Sequence, residues 1–222
     1  MLLPLALPLL FFGFVLLLVL FVVMIEVRVL SYAYRKIGVH PRYMVLVLLL
    51  TLIGSHFNIP LYSVAVPRLV PPEEVTVRGR TYIVPHPVQP SRAVVAINVG
   101  GALVPLLLSF YLFLRLNLRG RMLIATALVA VIVHGLSQIV PGVGIAVPML
   151  IPPLVAAGVA LILSFRRAPP VAYVAGSMGT LLGADISNLH RLAELGAPVV
   201  SIGGAGTFDG VFLTGIIAGL IT

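Results

Sequence analysis

Long apolar runs alternate with short polar interruptions along almost the whole chain. A bilayer core takes about 20 apolar residues per helix. On that ruler the pattern predicts about seven transmembrane helices, at roughly 2–25, 43–58, 93–114, 122–140, 148–165, 171–190 and 198–221. The second is short and the fifth is rich in proline, so the count ranges from about six to eight. Backbone groups in lipid must bond internally, so these runs are expected to be helical except where a break lines a cavity. The expected fold is an all-α polytopic membrane protein, a single transmembrane domain over 1–222.

One stretch departs from that pattern. "PPEEVTVRGRTYIVPHPVQP" (Pro71 to Pro90) places two β-rich runs around Arg78-Gly79, with prolines at both ends. That is a hairpin signal. A lone two-stranded hairpin is marginal in water, so it is expected to pack on the bundle. It forms the centre of an extracytoplasmic insertion over 61–92, either a structured loop or a lid over a site.

Composition supports the membrane reading. Of the 222 residues 60% are hydrophobic and 9% charged, and the mean hydropathy is +1.19. A soluble domain has about 25% charged residues. The net charge is +8, which the positive-inside bias and anionic headgroups explain without nucleic acid. Cysteine is absent, which excludes disulfides and thiolate metal sites. The apolar run Leu2 to Ile25 is longer than the roughly 7–15 residues of a signal-peptide core, and no basic stretch precedes it.

The loops set an orientation. Arg28, Arg35, Lys36, Arg42, Arg115, Arg119, Arg121, Arg166 and Arg167 share one side. Arg68, Arg78, Arg80, Arg92 and Arg191 share the other with Glu73, Glu74 and Glu194. The denser side is expected in the cytoplasm of a plasma-membrane protein, with the N-terminus outside and the C-terminus inside.

Polar side chains inside a membrane are costly and mark candidate sites. The predicted crossings carry Thr51, Ser55, His56 and Asn58; Asn98; His134, Ser137 and Gln138; Asp185 and Asn188; and Ser201, Thr207 and Asp209. In the assigned topology all five sets fall in the outer half of the bilayer. His134, Ser137 and Gln138, at i, i+3 and i+4, are expected on one helix face. Simpler roles also fit: an interhelical His134–Gln138 pair, His56 and Asn58 at the interface, or Asp185 paired with Arg191. Ala172, Gly176, Gly179 and Gly183 form a small-residue stripe that admits a close neighbour, and the last crossing is the expected one.

"SIGGAGTFDG" (Ser201 to Gly210) is the densest signal. Gly203, Gly204 and Gly206 each cost about 1 kcal/mol against Ala inside a helix, so the last crossing is expected to unwind there. Thr207 then suits a helix N-cap, with Asp209 in the first turn of the resumed helix. The run also hints at a strand–glycine–helix nucleotide site, but its glycines do not follow GxGxxG and no βαβ context is expected.

"GADISNL" (Gly183 to Leu189) followed by "GGAGTFDGVFLTG" (Gly203 to Gly215) resembles an uncharacterised family of prokaryotic multi-pass membrane proteins. The same C-terminal third distantly resembles the GxGD intramembrane aspartyl proteases. That resemblance implies catalytic carboxylates at Asp185 and Asp209, acting on a membrane peptide. Here Thr207 and Phe208 stand between Gly206 and Asp209, Ala184 precedes Asp185, and no Pro-Ala-Leu element follows.

Four readings remain open. A protease needs two carboxylates sharing a proton, one acting as base on water and the other as acid. A transporter or channel would use His56, Asn58, Asn98, His134, Gln138, Asn188, Gly204, Gly206 and Thr207 with the two Asp to hold an ion or small solute at a broken helix. A metal site has enough His and Asp ligands but no supporting local spacing. A scaffold would use Asp209 as an internal pairing residue. No cofactor is expected; membrane lipid is the expected partner.

Overall fold

The computed structural model describes residues 3–68, 73–77, 80–84, 89–140, 144–191, 197–204 and 210–222. Helix α1 (Leu3–Ile37) is followed by α2 (Pro41–Gly54) and strand β1 (Asn58–Arg68). Then come β2 (Glu73–Val77), β3 (Arg80–Val84) and β4 (Gln89–Asn98). A π-helical turn (Val99–Leu103) leads into α3 (Val104–Arg115), then α4 (Arg119–Leu136), β5 (Gln138–Val140) and β6 (Gly144–Ala146). Helices α5 (Ile151–Ser164) and α6 (Ala168–Thr180) follow. A second π-helical turn (Leu181–Asp185) and a 3-10 stretch (Ile186–Arg191) extend α6; β7 (Val199–Ile202) and α7 (Gly210–Ile221) complete the order.

Proline and glycine punctuate the helices. α2, α3, α5 and α6 each carry proline in the first turn, where its missing N–H costs nothing. α1 ends at Gly38, whose φ of 102° closes the helix. The Val39 amide then donates to the Tyr34 carbonyl at 2.9 Å, a Schellman closure.

α6 is the axis of the fold. All its residues except Pro169 and Met178 are buried. It packs against α1, α3, α4, α5 and α7. The 3-10 turn Phe165–Arg167 reverses the chain, so α5 lies back along α6. Small residues dominate the interior, among them Ala125, Ala156, Ala160, Ala172, Ala175 and Ala218. Large ones such as Phe110, Leu123, Val131, Leu154 and Ile162 face outward. This inverse of soluble packing suits a bundle surrounded by lipid. α1 carries the pattern furthest: residues 11–29 are exposed all round, and only its last two turns pack on the bundle.

The small-residue stripe serves two neighbours. A Cβ on Gly176 would lie 3.1 Å from the Thr214 carbonyl oxygen of α7. On Gly179 it would lie 2.6 Å from Val129 Cγ1 of α4, and on Gly183 it would collide with the Ala130 carbonyl. The expected approach of the last helix therefore holds at Gly176, while Gly179 and Gly183 admit α4.

Two strand pairings complete the picture. β2 and β3 pair antiparallel, with Val77 opposite Arg80, as the Arg78-Gly79 turn predicts. The pair β1–β4 runs from Asn58 opposite Asn98 to Arg68 opposite Gln89. β7 joins β4 in parallel, giving the order β1-β4-β7.

Among the described residues three helical runs are long and apolar enough to cross a membrane: Phe11–Ile37, Arg119–Leu136 and Ile151–Arg191. With the apolar exterior they mark a membrane-associated protein. The expectation of seven crossings is not supported. The predicted runs 93–114 and 198–221 each divide between a strand and a shorter helix, because their β-branched segments 94–97 and 199–202 pair with one another, and in the run 43–58 the helix ends at Gly54, short of a crossing.

Gly183→Ala is expected to destabilise the bundle by about 1–3 kcal/mol through overpacking against α4. Gly135 of α4 faces open space, so Gly135→Ala is expected to gain up to about 1 kcal/mol. Thermal unfolding in detergent, followed by far-UV circular dichroism, checks both; equal effects would contradict the packing described.

Candidate functional site

The bundle has two chemically distinct ends. At one, Lys36 Nζ donates to the Leu220 carbonyl at 2.9 Å, Arg115 to the Gly38 carbonyl at 3.3 Å and Arg121 to Ser164 Oγ at 3.2 Å. At the other, neutral polar groups and Asp185 converge around β7.

Asn98 anchors that second end. It closes β4 and is 1% exposed. Its Oδ1 accepts the Gly101 amide at 2.7 Å, capping the π-helical turn. Its Nδ2 donates to the Ser55 carbonyl at 2.7 Å and to Asn58 Oδ1 at 3.1 Å. Asn58 Oδ1 also accepts from Ser201 Oγ at 2.6 Å. One amide thus ties the end of α2, the start of β1 and the end of β4, and Asn58 adds β7. The bonds to the Ser55 carbonyl and from the Gly101 amide satisfy groups that would otherwise be buried at a cost.

β7 leads into the glycine turn. Gly203 and Gly204 have φ of 83° and 86°, a region that L side chains rarely adopt. A Cβ on Gly203 would also lie 2.5 Å from Ala102 Cβ. The turn is therefore pressed onto the first π-helical turn from one side. From the other, Asp185 Oδ2 accepts the Gly203 amide at 2.7 Å.

Asp185 closes the second π-helical turn and is half-buried. Such turns insert an extra residue and recur at functional sites. Asn188, 2% exposed, donates to the Ala184 carbonyl at 2.7 Å and to Ser137 Oγ at 3.1 Å. Ile145, Asp185, Asn188, Leu189, Val200 and Ser201 line a small cleft, with Ile202 beside them. β7 pairs with β4 on one edge and with no other strand among the described residues. The cleft holds about 10 Å³, room for one water-sized group, and sets a carboxylate, a hydroxyl and an amide against an apolar wall beside the β7 edge.

The structure thus brings together Asn58, Asn98, Asp185, Asn188 and Gly204 from the predicted set. His56 stays local, its Nδ1 3.2 Å from the Leu52 carbonyl oxygen and 3.4 Å from Ser55 Oγ. His134 and Gln138 are exposed and stand outside the cluster; α4 ends at Leu136, so the expected shared face does not form. Gly206, Thr207 and Asp209 lie outside the described residues, and with them the expected N-cap. Residues 199–202 form a strand, not the first half of a helix, and the described part of the last helix is Gly210–Ile221.

Sequence reasoning missed the β4–β7 ladder. The signal was present: "VVAI" (Val94 to Ile97) and "VVSI" (Val199 to Ile202) are aligned residue for residue in it. It also missed that Ser137 bonds Asn188 and that the Gly203 amide bonds Asp185.

A family model described as "Protein of unknown function (DUF1614)" matches residues 52–221. The chain belongs to that family. The DUF1614 match takes in the sheet, α3 to α7 and every described residue of the site, and begins within α2. No curated protein and no solved structure matches the chain.

Asn98→Ala is expected to cost about 2–5 kcal/mol, because the Ser55 carbonyl and the Gly101 amide lose their partner. Gly203→Ala is expected to cost about 1–3 kcal/mol from backbone strain alone. His134→Ala and Gln138→Ala are expected to stay within about 0.5 kcal/mol. Thermal melts of the four purified variants check this ranking.

Proposed function

We propose that this DUF1614 protein is a multi-pass plasma-membrane protein and an intramembrane aspartyl peptidase-like hydrolase. The arginine-rich end faces the cytoplasm, as the positive-inside bias requires. The sheet, the hairpin and the Asp185 cleft then lie toward the outer face. The C-terminus, beside Lys36 at the basic end, is cytoplasmic, and α1 begins outside.

In this reading a membrane peptide is drawn out as a strand along β7, where its carbonyl meets Asp185. Asp185 and Asp209 share one proton. The ionised carboxylate takes a proton from water as it attacks the peptide carbon. The protonated one donates to the peptide oxygen; the first then passes the water's proton to the nitrogen while the second takes back a hydroxyl proton, and the C–N bond breaks to give acid and amine. The single observation that carries the reading is the bond from the Gly203 amide to Asp185 Oδ2. It pins the first carboxylate to the glycine turn that leads, six residues on, to the second.

The interruption of the last apolar run by a strand and a turn favours a second reading. Transporters open their backbone where it lines a solute cavity. Against this, Asn58 and Asn98 are engaged with each other and with protein groups, which leaves them little capacity for a solute.

Asp185→Asn separates structure from chemistry, because the amide oxygen still accepts from Gly203 while the proton relay is lost. In proteoliposomes with a labelled transmembrane peptide, Asp185→Asn and Asp209→Asn are each expected to slow cleavage by roughly 10²–10⁴-fold. Their melting temperatures should change little, and ion flux through the same vesicles should match the parent. Parental cleavage rates in both variants would end the peptidase reading; a loss of flux without a loss of cleavage would favour transport.

A further inference from the structure

The basic end holds a cleft of about 440 Å³, formed where the α3–α4 turn meets the α5–α6 turn. Its lining includes Arg119, Arg121, Arg166 and Arg167, with Asn117 and Ser164 between them, and none of the chain's six acidic residues. Arg121 spans it to Ser164 Oγ at 3.2 Å. Arg119 is drawn to the end of α3, donating to the Phe113 and Leu114 carbonyls, each at 3.3 Å.

This arrangement breaks a local rule. The first turn of a helix carries a positive dipole end and favours acids. α4 opens with Arg119 and Arg121, has no side-chain cap and has no acid in its first turn. α6 is preceded by Arg166 and Arg167 and also lacks a side-chain cap. Four guanidinium groups and two helix N-termini thus face one hollow with nothing anionic in its lining. Gly120 adds space: a Cβ placed there would meet no atom within 4 Å outside its own helix turn, so no side chain stands beside the first turn of α4 at that position. Groups that repel one another without a counter-charge mark a site whose counter-charge comes from outside.

We infer that this cleft binds a phosphate group, and that its source is the headgroup of an anionic lipid. Guanidinium forks match phosphate oxygens in bidentate fashion, and uncapped amides add further donors. The cleft lies at the end of membrane-crossing helices, which is the depth of a headgroup, and basic pockets between such helices select anionic lipids. The site is independent of the Asp185 reading, since the two occupy opposite ends of the bundle.

The test is native mass spectrometry of the full chain in detergent, with dimyristoyl phosphatidylglycerol, dimyristoyl phosphatidylcholine or inorganic phosphate added. Phosphatidylglycerol should be retained roughly fivefold or more over phosphatidylcholine. Arg166→Gln/Arg167→Gln should lower that retention about tenfold. Gly120→Leu, which removes no charge and whose Cβ meets no atom within 4 Å beyond its own helix turn, should lower it also by covering the α4 amides. Arg28→Gln/Arg42→Gln removes the same charge away from the cleft and should leave retention within about twofold of the parent. Phosphate displacing the lipid supports recognition of the phosphate itself. Phosphate binding without any lipid preference, abolished in the same cleft variants, would keep the chemistry but overturn the lipid source. Equal retention of the two lipids with no phosphate binding, or equal losses in the cleft and control variants, overturns the site.

Discussion

The fold depends on how closely backbones can approach α6. Lipid offers no hydrophobic force to press helices together, so their association rests on van der Waals contact and interhelical hydrogen bonds. The glycines of α6 and its extension supply the contact. Gly179 and Gly183 let α4 lie directly on the backbone, and Gly176 does the same for α7. α7 answers with Gly215, where any side chain would run into Ser177 and Tyr173. A bundle built this way has little slack, because each approach is already at contact distance.

That closeness fixes the polar end. α4 finishes beside the extension of α6, which is why Ser137 meets Asn188. The same principle acts between α2 and the first π-helical turn, where Gly100 rests against the backbone of Thr51 and Ser55. Asn98 can reach the Ser55 carbonyl only because those backbones touch. The amide network is thus a consequence of glycine packing as much as of hydrogen bonding. Its bonds then hold β7 against β4 and present the glycine turn to Asp185.

Much of this was legible in the sequence, and what was not has physical reasons. The apolar helices, the hairpin at Arg78-Gly79 and the small-residue stripe follow from period, turn chemistry and spacing. The strands β4 and β7 were hidden, because "VVAI" and "VVSI" are short apolar runs beside helical ones, and period alone does not separate a buried strand from a buried helix. The partner that decides the matter is about a hundred residues away in the chain. The site was half legible. Asn58, Asn98, Asp185 and Asn188 were visible as polar residues in apolar surroundings. The grouping of His134 with Gln138 failed because it assumed a helix that ends at Leu136. A helical face exists only as far as the helix does.

The π-helical turn at Leu181–Asp185 connects the packing to the site. In a regular helix each residue turns by about 100°, so one inserted residue rotates everything after it by that amount. Gly183, inside the turn, still faces Ala130 of α4. Two residues later Asp185 is aimed at β7 and bonded to the Gly203 amide. A strictly α-helical extension with Gly183 held on α4 would change the angle between Gly183 and the carboxylate and so alter its aim at the Gly203 amide. The turn therefore lets one segment serve two demands that conflict in register: a close seam with α4, and a carboxylate directed at the glycine turn. Since the seam has no slack, a shift of α4 along it moves Asp185 as well. The chemistry at the cleft and the stability of the bundle thus share one element, and the glycine that admits α4 is also part of what positions the acid.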